Sequence, residues 1–203
     1  MFSSSPTIGA RRAEAALCFL AAAELLALIL LLAGAFPNVG VLDTVLSVAA
    51  PALCLGAFTV LFRQLRSSVW AVLALLFMVV NTSMTLTGDA LQHVVFHSPI
   101  TGLDKGGLWV VTTAIRDTVG NNFFYVALAL VGCLLLAAGR RWLGGLALAN
   151  AALGWLDMAF ANQLGLPPHT NFLLIVVWLV VLGASTLTRE AATELTYQPA
   201  FAA

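Results

Sequence analysis

The strongest constraint on this chain is a set of apolar segments that are each long enough to cross a lipid bilayer as a helix. A helix of about 20 apolar residues spans the hydrocarbon core of a membrane. The segments that meet this requirement are residues 14–36, 42–62, 69–88, 121–139, 142–164 and 170–188. A chain of this size cannot hide so much apolar surface in a water-soluble core. We therefore predict an all-α bundle of six transmembrane helices.

The composition excludes several classes of protein. Charged residues make up 9% of the 203 residues, whereas about a quarter of a soluble domain is charged. The net charge of zero argues against nucleic acid as a partner, because phosphate binding needs a basic surface. Cys18, Cys54 and Cys133 lie in apolar runs without a CxxC spacing, so we interpret them as membrane-buried thiols. The only lysine, Lys105, lies between segments, which excludes a retinal Schiff base within a helix.

The basic residues predict the orientation of the bundle. They precede the first segment, separate the second from the third and the fourth from the fifth, and follow the sixth: Arg11, Arg12, Arg63, Arg66, Arg140, Arg141 and Arg189. The alternate connections, around residues 37–40 and 165–169, carry no Lys or Arg, and only Lys105 and Arg116 break the pattern. Excess Lys and Arg marks cytoplasmic loops, so we predict a multi-pass membrane protein with both termini in the cytoplasm.

We predict a single domain over residues 1–203, with an ordered core of about 12–189 and short flexible termini. The first segment resembles a secretory signal peptide, because Ala33-Gly34-Ala35 follows an apolar run. That run is longer than the usual 7–15 residues and contains Glu24, so we expect it to remain in the protein.

Two helices are predicted to extend beyond the bilayer on the outer side. The third can continue to Ser98, and the fourth can begin near Gly107, which makes the fourth roughly 48 Å long. The two extensions either form a helical hairpin that projects outward, or the fourth helix tilts and breaks at Gly120-Asn121.

Polar residues recur every four positions in the third helix and its extension: Asn81, Thr85, Asp89, His93 and His97. A helix turns by about 100° per residue, so Asn81 faces the bundle while Asp89, His93 and His97 share a different face. Histidines at positions i and i+4 can chelate a metal. With His169 on the same outer side, His93, His97 and His169 are candidate ligands of a transition metal or haem. The alternative is a helix end where histidines meet water and lipid headgroups.

Ionisable residues inside the apolar segments form the second group of candidates. Asp157 lies about two turns from the outer end of the fifth helix, on one face with Asn150, and Glu24 lies within the first helix. A charged side chain inside a membrane costs a few kcal/mol unless it faces a partner or water, so such residues are functional candidates. The alternative is a hydrogen bond that holds two helices together.

Arg116 supplies a counter-charge on the outer side. Across the bundle it can pair with Asp89 or Asp157. Asp117 is not an expected partner, because neighbours in sequence diverge on an α-helix. The alternative is a solvated ion pair on a projecting helix, which contributes under about 1 kcal/mol.

The chain resembles a domain-of-unknown-function family of six-helix bacterial membrane proteins. The resemblance rests on VLFRQLR at the end of the second helix and on FFYVALALVGCLLLAAGRRWLGGLALANAALGWL across the fourth and fifth. It covers most of residues 14–188 and implies the helical membrane fold, without implying an activity or any site residue.

These residues together predict a polar pocket in the outer half of the bundle that binds or transforms a lipophilic small molecule. As an isomerase- or cyclase-like enzyme, the protein would use Asp157 or Asp89 as the acid and His93 as the base. The residues expected to bind the ligand are Glu24, Arg116, Asn150 and Asn81. The alternatives are a carrier that uses Glu24 and Asp157, a non-catalytic subunit or homo-oligomer in the bilayer, and an outer metal or haem protein.

Overall fold

The computed structural model describes residues 8–34, 40–65, 68–97, 102, 104–160 and 170–196. Residues 1–7, 35–39, 161–169 and 197–203 lie outside these ranges, whereas residues 8–11 and 190–196, which we predicted to be flexible termini, are helical parts of α1 and α7. In the described part of the chain, all regular structure is helical: α1 (Ile8–Leu32), α2 (Gly40–Gln64), α3 (Val69–His97), α4 (Lys105–Thr113), a π-helical segment (Ala114–Gly120), α5 (Asn121–Ala137), α6 (Arg141–Ala159) and α7 (Thr170–Thr196). The prediction of an all-α fold is confirmed.

The segment α4, the π-helical segment and α5 follow one another without a break and form one rod of 33 residues, Lys105–Ala137. We call each separate helix, and this unbroken run of three segments, a rod. The described residues therefore form six helical rods. Five are long and apolar enough to cross a membrane: Gly9–Leu31, Val45–Arg63, Val69–His93, Lys105–Ala137 and Asn171–Thr188. This supports a multi-pass membrane protein. The remaining rod, α6, has 19 residues and is long enough, but Arg141, Asn150 and Asp157 reduce its hydropathy.

The rods pack against one another in a closed circuit. Helix α1 packs against α2 and α7, α2 against α3, α3 against the α4–α5 rod, α5 against α6, and α6 against α7. Buried aromatic side chains fill the centre: the Phe58 ring lies 6.3 Å from that of Phe124 and 5.8 Å from that of Trp178. The Trp178 indole Nε1 donates to the Leu143 carbonyl at 3.1 Å, which links α7 to α6. Side chains from α2, α5 and α7 thus occupy the middle of the bundle.

One end of the bundle carries arginines from several helices, and we call it the basic end. Arg63 Nη1 at the end of α2 lies 3.3 Å from the Glu14 carboxylate near the start of α1. Arg140, in the turn between α5 and α6, donates from Nη2 to Ser185 Oγ of α7 at 2.6 Å. These contacts show that α1, α2, the α5–α6 turn and α7 meet at this end, so the termini of α3 and α4 at His97 and Lys105 lie at the opposite end.

Glycines allow α5 and α6 to approach each other closely. A Cβ on Gly144 would lie 2.8 Å from the Gly132 carbonyl oxygen, and a Cβ on Gly154 would overlap the Tyr125 ring. The turn between the two helices uses Gly139 at φ +76°, where Arg140 N donates to the Leu135 carbonyl at 2.8 Å. This is the left-handed glycine that commonly ends a helix. The glycines therefore let the backbone and side chains of one helix pack directly against the backbone of the other.

Candidate functional site

The candidate site lies where α3 crosses the π-helical segment. A Cβ on Gly88 would lie 2.8 Å from the Arg116 Cβ and 3.3 Å from the Thr112 carbonyl oxygen. Only glycine leaves room for this approach, because real Cβ atoms essentially never come that close to another atom. The contact places the Arg116 backbone directly against α3, within reach of polar side chains one turn along that helix.

Arg116 joins two carboxylates and an amide. Its Nη1 donates to Asp89 Oδ1 at 3.0 Å and to Gln92 Oε1 at 2.9 Å. Its Nε donates to Asp117 Oδ1 at 2.6 Å, and its Nη2 donates to Asp117 Oδ2 at 3.1 Å. Gln92 Nε2 in turn donates to Thr113 Oγ1 at 3.2 Å. We call Asp89, Gln92, Thr113, Arg116 and Asp117 the Arg116 cluster.

The pair between Arg116 and Asp117 contradicts the expectation that sequence neighbours cannot meet on a helix. Both residues lie in the π-helical segment, where hydrogen bonds run from i to i+5. The rotation between neighbours is slightly smaller there than in an α-helix, and the long Arg116 side chain reaches the adjacent carboxylate in a bidentate pair. The prediction that excluded Asp117 is therefore wrong. Isolated π-helical turns within α-helices are frequent at functional sites.

The two carboxylates of the cluster differ in exposure. The Asp89 side chain is 13% exposed, the Arg116 side chain 29% and the Asp117 side chain 45%. At 1.5 Å per residue, Asp89 lies about 30 Å along α3 from Val69 at the basic end. The cluster thus lies away from the basic end of the bundle, with one carboxylate covered by protein and the other at its surface.

The structure places the remaining polar residues of α3 on different sides of the helix. Asn81 is buried, and a Cβ on Gly120 at the end of the π-helical segment would lie 3.6 Å from its Oδ1. His93 is exposed one turn beyond Asp89. The side chain of His97 and the whole of His169 lie outside the described residues. Within the described part of the chain, no group of three or more His, Cys, Asp or Glu residues could hold a metal, so a metal or haem site formed with His169 remains a prediction.

Asn150 lies in a different part of the bundle, between α6 and α7. Its side chain is fully buried, and its amide, oriented to satisfy its neighbours, donates to the Asn171 carbonyl at 3.3 Å and accepts from Ile175 N at 3.0 Å. The Asn171 amide donates to the Tyr125 hydroxyl at 2.6 Å. These bonds link α5, α6 and α7, and they are the contacts of helix packing.

The predicted pocket residues are only partly brought together. Asp89 and Arg116 form an ion pair, which is one of the two pairings that we predicted for Arg116. Asp157 is exposed on α6, which packs against α5 and α7, and Glu24 is half-buried on α1, which packs against α2 and α7. In the described structure, Arg116 pairs with Asp89 and Asp117 rather than with Asp157.

Sequence reasoning missed Gln92, Thr113, Asp117 and Gly88. A signal for Gln92 and Gly88 was present, because Asn81, Gly88 and Gln92 are spaced by seven and four residues and therefore share one face of α3. A small residue between two amides on one face indicates a close helix contact with polar partners. The role of Asp117 had no such signal, because it depends on the π-helical turn.

Comparisons with protein-family models, curated proteins and solved structures give no match for this chain. The resemblance to six-helix bacterial membrane proteins therefore remains a prediction.

Proposed function

We propose that the chain is a six-span protein of the bacterial inner membrane with both termini in the cytoplasm. The six helical rods of the described residues support this, because an even number of crossings returns the chain to the side on which it started. The arginines at the basic end support the orientation. We count helix α6 as the sixth span. It packs between α5 and α7, and its Asn150 bonds to α7 rather than to lipid.

We further propose that the protein binds a lipophilic or amphiphilic small molecule at the Arg116 cluster. The observation that supports this proposal is that one guanidinium serves two carboxylates, one of which is 45% exposed. Arg116 already donates to Asp89, Gln92 and Asp117, so an anionic ligand would have to displace one of them. The open edge of the cluster is the Asp117 carboxylate, which suits a cationic or proton-donating group.

The same geometry suits acid/base chemistry on such a ligand. A carboxylate within hydrogen-bond reach of a bound molecule can accept or return a proton. Asp117 is the carboxylate that a ligand can reach, whereas Asp89 is largely covered and holds the guanidinium in place. The proposal thus assigns proton exchange to Asp117, and it is common to an enzyme and to a carrier.

Binding of tetraphenylphosphonium, a lipophilic cation, tests the proposal. The wild type, Asp117→Asn and the control Asp157→Asn are compared in lipid nanodiscs, with binding to empty nanodiscs subtracted. We expect Asp117→Asn to weaken binding of tetraphenylphosphonium about tenfold. The control Asp157→Asn should leave binding unchanged. Tetraphenylborate, which has the same shape and the opposite charge, should bind no better to the wild type than to Asp117→Asn.

Equal binding of tetraphenylphosphonium to the wild type and to a folded Asp117→Asn variant would exclude the proposal. Native mass spectrometry of the same variants in mild detergent identifies any organic molecule that the protein retains. Retention that depends on Asp157 and not on Asp117 would shift the site to α6. A stoichiometric protein partner with no retained small molecule would favour the role of a non-catalytic subunit.

A further inference from the structure

The outer segment α4 exposes apolar side chains in almost every direction. Leu108 is 37% exposed, Trp109 40%, Val110 66% and Val111 55%. At about 100° per residue, four consecutive side chains cover about 300° of the helix circumference. Thr112 is the buried residue of the segment. A helix in contact with water carries a polar face, and one that is apolar all round is surrounded by protein or lipid.

Polar groups mark where the apolar surface ends. Asp104 precedes α4 and accepts from Gly107 N at 3.0 Å through Oδ1, and Lys105 and Gly106 are exposed beside it. Trp109 follows one turn later, and the basic end carries exposed Trp70 and Trp142. Tryptophan is enriched at both membrane interfaces, and lysine near a helix end reaches into the headgroups. The order of these residues along the helix is that of an outer membrane interface.

The length of the rod agrees with this position. The 33 residues of Lys105–Ala137 are about 50 Å long, and a bilayer is about 40–45 Å thick with its headgroups. A tilt of about 30° places the whole rod within that thickness, and transmembrane helices tilt by up to about 40°. The apolar surface of α4 lies on the same rod as exposed Val119 of the π-helical segment and beside α3, which exposes Leu91. It is therefore part of the lipid-facing surface of the bundle.

We infer that α4 lies in the outer leaflet of the bilayer, with Leu108, Val110 and Val111 in contact with lipid, and does not project into water. The rod is continuous at Gly120-Asn121, so it tilts without breaking there. Arg116 then lies about 14 Å below the outer surface, given its 11-residue separation from Lys105 and the same tilt. The headgroup layer is about 5–8 Å deep, so the Arg116 cluster lies beneath it.

Site-directed spin labelling tests this position in liposomes. The three native cysteines are replaced, and a nitroxide is attached to Val110→Cys or to Val111→Cys, which points about 100° away. Val79→Cys, exposed in the middle of α3, is the lipid reference, and Gly106→Cys is the interface reference. The collision rates with oxygen, which concentrates in lipid, and with a water-soluble nickel chelate are measured at each site.

We expect the ratio of oxygen to nickel collisions at residues 110 and 111 to exceed that at residue 106 several-fold and to approach that at residue 79. A ratio at residue 110 equal to or below that at residue 106 would show that α4 projects into water. Low collision rates with both reagents at residues 110 and 111 would show that another protein covers α4. Either result would overturn the inference, and neither bears on whether Asp117 binds a cation.

Discussion

Arg116 divides its guanidinium between two carboxylates in different surroundings. Asp89 lies on α3 and is 13% exposed, while Asp117 lies next to Arg116 in the π-helical segment and is 45% exposed. Breaking a covered pair leaves an uncompensated charge, whereas an exposed carboxylate can find another partner at the surface of the bundle. The two ion pairs should therefore contribute differently to stability although they share one partner.

We expect the Arg116–Asp89 pair to be the stronger of the two. Double-mutant cycles combine Arg116→Gln with Asp89→Asn or with Asp117→Asn, and thermal unfolding in mild detergent gives the coupling energies. The coupling should be on the order of 1–2 kcal/mol for Asp89 and smaller for Asp117, because other groups can reach its exposed carboxylate. Arg141→Gln, at an exposed site, is the control. A larger coupling for Asp117 would contradict this assignment.

Glycines decide how closely two pairs of helices approach. On α3, Gly88 admits the Arg116 backbone, and on α6, Gly144 and Gly154 admit the Gly132 carbonyl and the Tyr125 ring. Transmembrane helices associate through packing, and small residues at the interface let their backbones come together. The bounds of these helices were largely predictable: the extension of the third to Ser98 was expected, and α3 ends at His97. The neighbouring helix against which each face packs was not predictable from the sequence.

Gly154→Ala should destabilise the bundle by about 1–3 kcal/mol, because overpacking a contact displaces the neighbouring side chain. The neighbour here is the Tyr125 ring, which is buried and hydrogen-bonded to Asn171. Gly145→Ala on the same helix is a matched control, since nothing lies within 4 Å of its added Cβ. Thermal unfolding in detergent compares the two variants. Equal midpoints would show that α5 and α6 are not packed as described.

At the scale of the whole molecule, α1 and α7 pack against each other and close the circuit of helices. Arg63 at the end of α2 and Arg140 in the α5–α6 turn lie at one end, and the Arg116 cluster lies about 30 Å away. The bundle therefore separates a basic end from a distant site that holds two carboxylates and one guanidinium. This asymmetry supports the orientation that we propose, with the basic end in the cytoplasm.

The orientation predicts which turns a membrane-impermeant maleimide can reach. In a background without the native cysteines, Ala33→Cys after α1 should react in intact cells. Ala138→Cys in the basic α5–α6 turn should react only after permeabilisation. Both residues are exposed at helix ends, so neither change should disturb packing. The reverse pattern would place the termini outside, and equal labelling of both in intact cells would contradict the six-span arrangement.

The sequence by itself determined that the chain is helical and that several segments are long and apolar enough to cross a membrane, because these properties depend on the local length of an apolar run. The tertiary structure decided which polar residues meet. The register of α3 against the α4–α5 rod depends on the contact at Gly88, and it brings Gln92 to Arg116. The π-helical turn brings Asp117 to the same guanidinium. Asp157 and Asp89 were indistinguishable as candidates in the sequence, because the helix on which a charge finds its partner is set by packing between distant segments.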